Sequence, residues 1–260
     1  MEKMAKELLI IIPAYNEEAN IGGVLDELDQ LGMDTVADVL VVNDASTDGT
    51  QQVVREKGRQ VVTHVFNLGY GEGLQTGYHF AVRQGYRYVI QMDGDGQHPA
   101  CNIPSILERL RFRGPDGQGP DIVLGSRFIQ QKEVDTVGLG KRMALQMFRG
   151  GIKLVTGRYI ADPTTGLQGL NRKAFHFYAQ YGHFDDKYPD ANMIMQMLLL
   201  QFRIEEIPAV MRPRVAGKSM HSGLRPVWYM FRMWVSVLAV VFRIKVLKID
   251  AGAGLQDVEI

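Results

Sequence analysis

The sequence predicts an α/β fold: a central, mostly parallel sheet flanked by helices. Three observations carry that prediction. Five short apolar runs, at 8–12, 38–42, 60–66, 87–92 and 121–125, are rich in Val, Ile and Leu, and several lack a period of two. Such continuous runs suit strands buried on both faces, as in a parallel sheet. Helical patterns at 19–31, 47–57, 73–84 and 103–112 separate them, so strand and helix alternate. Several runs also end in a polar or glycine-rich turn, at the sheet edge where open α/β proteins bind their ligands.

The first strand ends at Pro13, and Tyr15, Asn16, Glu17 and Glu18 lead into the first helix, where an acidic residue is favoured. The second ends in Asn43-Asp44-Ala45-Ser46-Thr47-Asp48-Gly49-Thr50. Ser46 or Thr47 is placed to cap the next helix. Asp44 emerges at the strand tip, where an acceptor suits ribose hydroxyls or base N–H groups. The third is followed by Asn67-Leu68-Gly69-Tyr70-Gly71-Glu72-Gly73. This spacing is not G-x-G-x-x-G and does not follow the first strand, which argues against a dinucleotide site. Its glycines allow a helix start to approach a nucleotide or another backbone closely.

The fourth strand delivers Asp93-Gly94-Asp95-Gly96-Gln97-His98-Pro99, with two carboxylates at i and i+2 in a tight turn. Few hard oxygen ligands suit Mg²⁺ or Mn²⁺ that also holds substrate phosphates. A Pro/Gly loop at 113–120 and a charged loop at 130–140 bracket the fifth strand. Beyond it the alternation fades, with helices expected at 141–156, 171–179 and 190–202 and a strand at 203–210. The expected organisation is a main body over 1–225, an amphipathic membrane- or partner-associated helix over 226–248 and a flexible tail over 249–260.

The chain of 260 residues is 46% hydrophobic, ample for one core, and its formal net charge is zero. Neutrality gives no bulk electrostatic reason to bind nucleic acid. The lone Cys101 excludes an intrachain disulfide and fits a reducing compartment. No uncharged run reaches the length of a membrane span, so a cytoplasmic protein is expected. The segment 227–242 is nonetheless almost wholly apolar or aromatic. Arg232, Ser236 and Arg243 form one polar stripe, Trp228, Tyr229, Phe231 and Trp234 crowd one end, and Arg243, Lys245 and Lys248 flank the other. That pattern suits a helix lying in the membrane interface, and equally a core or oligomer helix.

The ordered stretches IIPAYNEEANI (11–21), VVNDASTDGT (41–50), NLGYGEGLQTG (67–77), QMDGDGQHP (91–99), GSRF (125–128), DPTTGLQGLNR (162–172) and RPRVAGKS (212–219) resemble the family 2 inverting glycosyltransferases. Within that family the dolichyl-phosphate mannose synthase-like branch is the nearest in pattern. The resemblance implies a GT-A fold, with a Rossmann-like, mostly parallel sheet. It implies a nucleotide-sugar donor, on a uracil, guanine or thymine base, held by Pro13, Tyr15, Glu17 and Asp44. Asp93 would lie near the ribose or sugar, Asp95 would bind the metal bridging the diphosphate, and Gln97 would add a metal contact. Arg127, Arg212 and Arg214, with Ser219 beside Gly217, are candidates for phosphate contacts.

Inverting transfer also expects a base, unless the acceptor is already an anion. Asp190 is the first candidate, with Asp185 or Asp186 behind it, although Asp190 also suits a helix N-cap. Relatives often carry an acidic residue where this chain has Asn192. Thr164 and Thr165 are placed for a phosphate or sugar. The implied acceptor is a polyprenyl phosphate, met by a peripheral protein on the cytoplasmic face of the membrane. Other acceptors and roles are a cell-surface saccharide, or nucleotide-sugar binding without catalysis beside a membrane-protein partner.

Overall fold

The structure, a computed structural model, describes residues 6–129, 139–186, 189–213, 225–250 and 252–255. Its seven-stranded sheet has the order β3-β2-β1-β4-β6-β5-β7. The strands are β1 (Leu8–Ala14), β2 (Ala37–Asn43), β3 (Gln60–Thr63), β4 (Tyr88–Gln91), β5 (Ile122–Ser126), β6 (Gln168–Asn171) and β7 (Ile204–Pro208). The helices are α1 (Glu18–Gln30), α2 (Thr50–Glu56), α3 (Tyr70–Gln84), α4 (Ile103–Arg111), α5 (Leu139–Thr156), α6 (Arg172–Ala179), α7 (Ala191–Leu199) and α8 (Arg225–Val241). The α/β GT-A-type architecture is therefore present, and six of the seven strands run parallel to a neighbour.

β1 is buried over its whole length because both faces of the sheet are covered. Leu9 and Ile11 join a core with Leu74 and Tyr78 of α3 and Phe175 and Tyr178 of α6. Leu8, Ile10 and Ile12 face the opposite core, against Ile21 and Leu25 of α1 and Ile103 of α4. Successive side chains of a strand point to opposite faces, so an unbroken apolar run is what two covered faces require.

Three elements depart from the sequence expectation. β6 falls where the sequence predicts no strand, and it inserts antiparallel between β4 and β5. Its Gln, Gly and Asn give almost no strand signal. Gly169 is needed there because a Cβ would collide with Ile106 and Leu110 of α4. β3 stops at Thr63 instead of residue 66, since the chain turns away after His64 to meet Asp44. α3 starts at Tyr70, so Gly71 and Gly73 lie in its first turn. A Cβ on Gly71 would overlap the backbone of Asp185 and Asp186, and Glu72 N–H donates to Asp186 C=O at 3.0 Å. Of the two neighbours the glycines allow, the one observed is another stretch of backbone.

Candidate active site

At the β1 and β2 tips, two turns lock together. Asn16, at φ 55°, accepts from Thr47 N–H at 2.8 Å and donates its own N–H to Ser46 Oγ at 3.0 Å. Glu17 N–H donates to Thr50 Oγ1 at 2.9 Å, and Gly49 N–H donates to Glu18 Oε2 at 3.0 Å. Ser46 and Thr47 thus bind the neighbouring turn and do not cap α2, whose N-cap is Gly49. Pro13 is buried beneath this platform, Glu17 is half-buried, and Tyr15 presents an exposed ring above it.

Asp44 is buried and does structural work in place. Leu68 N–H and Gly69 N–H donate to its two oxygens, each at 2.8 Å. His64 Nδ1–H donates to Oδ1 at 2.8 Å, so in the neutral imidazole Nε2 accepts from Thr76 Oγ1 at 2.9 Å. The carboxylate therefore shapes the glycine loop leading into α3 while standing at the β2 tip.

The β4 tip carries Asp93 and Asp95. Tyr70 O–H donates to Asp93 Oδ1 at 2.8 Å, while Asp93 Oδ2 lies against Gly166, where a Cβ would come within 2.5 Å. Burial first, then the charge of Asp93, hold the Tyr70 phenol well above its usual pKa. Asp95 is buried and accepts Gln97 N–H at 3.0 Å across Gly96, whose φ is 75°. Gln97 C=O accepts Arg212 N–H at 2.7 Å, and the Arg212 guanidinium pairs with Glu27 of α1. Asn102 holds both polar backbone groups of Val210, at 2.8 and 2.9 Å. Together these contacts strap the segment before Arg214 over the acidic turn. Arg214 and Ser219 lie outside the described residues. Among the described residues no three His, Cys, Asp or Glu form a ready cation cage. The candidate donor set is instead two carboxylates and an amide in one turn, the carboxylate of Asp95 buried, which fits a hard divalent ion completing its shell from substrate oxygens.

Residues 9–178 match the family model described as Glycosyl transferase family 2. The chain belongs to that family. It is 29% identical over 168 residues to an uncharacterized protein of Methanocaldococcus jannaschii, covering 65% of this chain and 66% of that one. A second relative from that organism is covered over only 49% of its length. Identity is 26% over 238 residues to the undecaprenyl-phosphate mannosyltransferase of Micrococcus luteus, covering 83% and 88% of the two chains. Among solved structures, glucosyl-3-phosphoglycerate synthase of Mycobacterium tuberculosis, in complex with Mn²⁺ and UDP-glucose, superposes with a TM-score of 0.63. That match has 21% identity and covers 91% of this chain and 79% of that one.

On the other side of the site of this family 2 glycosyltransferase, Arg127 leaves the β5 tip and meets Asp162 in a buried, two-pronged ion pair. Nε to Oδ2 and Nη2 to Oδ1 are both 2.6 Å. Burial opposes the guanidinium charge, but the hydrogen bonds and charge of Asp162 more than offset it. Nη2 also donates to Thr164 Oγ1 at 3.0 Å, while Nη1 faces Met211 Sδ at 3.9 Å. Glu206 of β7 accepts the Ala161 and Asp162 N–H groups at 2.7 and 2.8 Å, and Arg149 Nε donates to Ala161 C=O at 2.8 Å. Thr165 Oγ1 donates to Gly125 C=O at 2.7 Å, so its hydroxyl holds the loop against β5.

Asp190 lies near enough for its charge to act on both Arg127 and Tyr70. Asp190 stands at the N-cap position of α7, where its C=O accepts Met193 N–H at 2.9 Å, but its side chain makes no cap bond to the helix. Asp185 turns elsewhere, toward Asn192 and Ser236. Two neighbours of the site lie within motif stretches but had no role assigned from the sequence. Tyr70 lay hidden in a glycine pattern. His98 is 2% exposed among Arg127, Asp162 and Asp95, with burial first and then the Arg127 charge lowering its pKa to about 4.

Proposed function

We propose that this protein transfers a sugar, with inversion, from a nucleotide-sugar to a polyprenyl phosphate, assisted by Mg²⁺ or Mn²⁺. The observation that carries this reading is that Asp93 and Asp95 after β4 and Arg127 after β5 leave the same edge of the sheet, with Asp190 at the start of α7 near them and α8 exposing apolar residues beyond. The named activity of the M. luteus relative and the UDP-glucose and Mn²⁺ of the M. tuberculosis structure support it.

In this reading Tyr15 and Glu17 contact the base and ribose, and Asp44 holds the glycine loop while offering a remaining lone pair. Asp93, Asp95 and Gln97 would hold the divalent ion, which would neutralise charge building on the departing nucleoside diphosphate. Arg127, held rigid by Asp162, presents Nη1 toward phosphate oxygens, joined by Arg212, Arg214 and Ser219. An acceptor oxygen forms the new bond to the anomeric carbon on the face opposite the diphosphate. The bond to that diphosphate breaks, and its electron pair leaves with the phosphate. A phosphate acceptor has little need of a base, so Asp190 orients it or takes its last proton.

The lipid acceptor is favoured over a saccharide by α8. Val235 and Leu238 of α8, with Phe242 and Val246 of the π-helical segment Phe242–Val246 that continues it, are exposed along one side, while of the expected polar stripe Ser236 and Arg243 bond to protein groups and Arg232 is exposed. A helix that buries Met233 and Val237 in the core and still exposes Val235 and Leu238 suits a second apolar surface. No described helix is long and apolar enough to cross a membrane, which fits a peripheral seat on the cytoplasmic face.

The test is thermal stabilisation by UDP-, GDP- and dTDP-sugars, with and without Mn²⁺, for wild type and Asp95→Asn. A Mn²⁺-dependent shift with one donor, lost in the variant, supports the reading. A donor shift indifferent to both the metal and Asp95 refutes the metal-bridged diphosphate. Turnover absent despite donor binding, with every polyprenyl phosphate tried, favours a binding subunit.

A further inference from the structure

Asn192 is 1% exposed, and its amide is fully used. Oδ1 accepts the Asp190 N–H at 2.9 Å. Nδ2 donates to Asp185 Oδ2 at 2.8 Å and to Ser236 Oγ of α8 at 2.9 Å. These partners fix the amide's orientation, because a backbone N–H must meet oxygen and a carboxylate must meet N–H. Ser236 Oγ also lies 3.4 Å from Asp185 Oδ2, closing a three-membered polar knot. The knot joins the start of α7, the acidic turn whose backbone packs on Gly71 of α3, and the outer helix α8. Arg243 fastens the same region one level further on, donating to Gly182 C=O at 2.7 Å.

We propose that Asn192 is a positioning residue that sets Asp190 against Arg127 and Tyr70 by tying the acidic turn to α8. The role of Asp190 in this statement rests on the function proposed above; the tie itself does not. A carboxylate at 192 keeps the acceptor for the Asp190 N–H but loses both donors and faces Asp185 as a like charge. A buried group robbed of its partner costs its full desolvation. Exchanging the two residues restores one amide and one carboxylate with the direction of donation reversed, and the Ser236 hydroxyl can donate instead of accept.

The experiment is a cycle of wild type, Asn192→Asp, Asp185→Asn and the double exchange. For transfer from the donor that stabilises the wild type to a polyprenyl phosphate, Asn192→Asp is expected to lower kcat by about tenfold or more, the loss of a charge-assisted hydrogen bond. Its donor KM and Mn²⁺-dependent thermal shift should stay within about twofold of wild type, since the donor cradle is built on β1 and β2. The double exchange should recover most of the lost kcat. Hydrogen exchange of the peptides spanning 182–193 and 232–240 reads the tie without any substrate. It should speed up in Asn192→Asp and return toward wild type in the double variant. No recovery of kcat together with restored exchange would mean that Asp185 itself reacts, and would overturn the positioning role. Unchanged exchange in Asn192→Asp, or a parallel loss of donor binding, would overturn it as well. Absence of transfer in wild type, with the exchange pattern as expected, would fault the proposed function and leave the tie standing.

Discussion

Arg127 and Asp162 show how a buried charge is kept useful. Asp162 is cut off from water and Arg127 nearly so, and each depends on the other and on the loop that presents Asp162. Removing one partner strands a buried charge, which costs about 3–5 kcal/mol, whereas replacing both with apolar groups is often close to neutral. Asp162→Ala is therefore expected to lower stability by about 3–5 kcal/mol in urea unfolding. Arg127→Met with Asp162→Leu should regain much of that stability without regaining transfer. His98 gives a second prediction with a definite sign. Its folded pKa of about 4 lies below the ordinary 6.5, so between these values the unfolded chain binds a proton that the folded one does not. The stabilisation is complete above about pH 6.5 and lost as pH falls through 4, amounting to about 3 kcal/mol. In the metal-free protein, His98→Gln should flatten that slope, and a slope equal to wild type would refute the assignment. Asp93 and Asp95 were legible in the sequence because their chemistry is local, two carboxylates in one turn. Tyr70 was not, because its bond to Asp93 spans 23 residues and exists only once α3 has docked.

Elements are placed by contacts that a periodic pattern records only in part. β1, β2, β4 and β5 were readable because both faces of the sheet bury apolar side chains there, while β3, a half-exposed edge strand, was readable from Val61 and Val62. β6 was not, because a four-residue strand with Gly at its centre is held by α4 and its two neighbours instead of by propensity. Glycine again decides the fit of α3 on β1. A Cβ on Gly77 would sit 2.5 Å from Ile11 Cγ2, deep in the core. Alanine there gains up to about 1 kcal/mol of helix propensity but overpacks at a cost of about 1–3 kcal/mol. Gly77→Ala is thus expected to lower the melting temperature. Gly150, exposed on α5 with nothing within 4 Å of its Cβ position, should behave oppositely. Gly150→Ala ought to stabilise by about 0.5–1 kcal/mol. If both variants moved Tm in the same direction, contact would not be what separates them.

At the scale of the whole molecule, the two outermost helices on one side belong together. Trp234 of α8 stacks on Phe148 of α5, with centroids 6.2 Å apart, and donates to Met147 Sδ at 3.2 Å. Lys245 donates to Val155 C=O at 2.8 Å, closing the far end of the pair. Outward from this seam lie Met143, Met147 and Leu154 on α5, with Val235, Leu238, Phe242 and Val246 beyond them. Exposed Arg142, Lys153, Lys245 and Lys248 flank these apolar groups. Sequence periodicity marked 227–242 as amphipathic but could not say that Ser236 and Arg243 turn inward while Arg232 stays exposed, because that depends on Asn192 and Gly182 lying beneath the first two. A surface of this composition should bind anionic vesicles in part through its cations and in part through its apolar residues. The expected outcome is co-sedimentation of the purified protein with phosphatidylserine-containing vesicles, weakened but not abolished by salt. Leu238→Glu with Val246→Glu should reduce it at least about tenfold, since burying each leucine-sized side chain contributes about 1.5–3 kcal/mol. Donor-dependent thermal shifts should survive that change, because the strand-tip site is built from other elements. Should wild type stay in the supernatant while its mass in solution doubles with concentration, the apolar face would instead meet a second copy of the chain. The glutamate pair would then abolish that association, which separates the two occupants in one experiment.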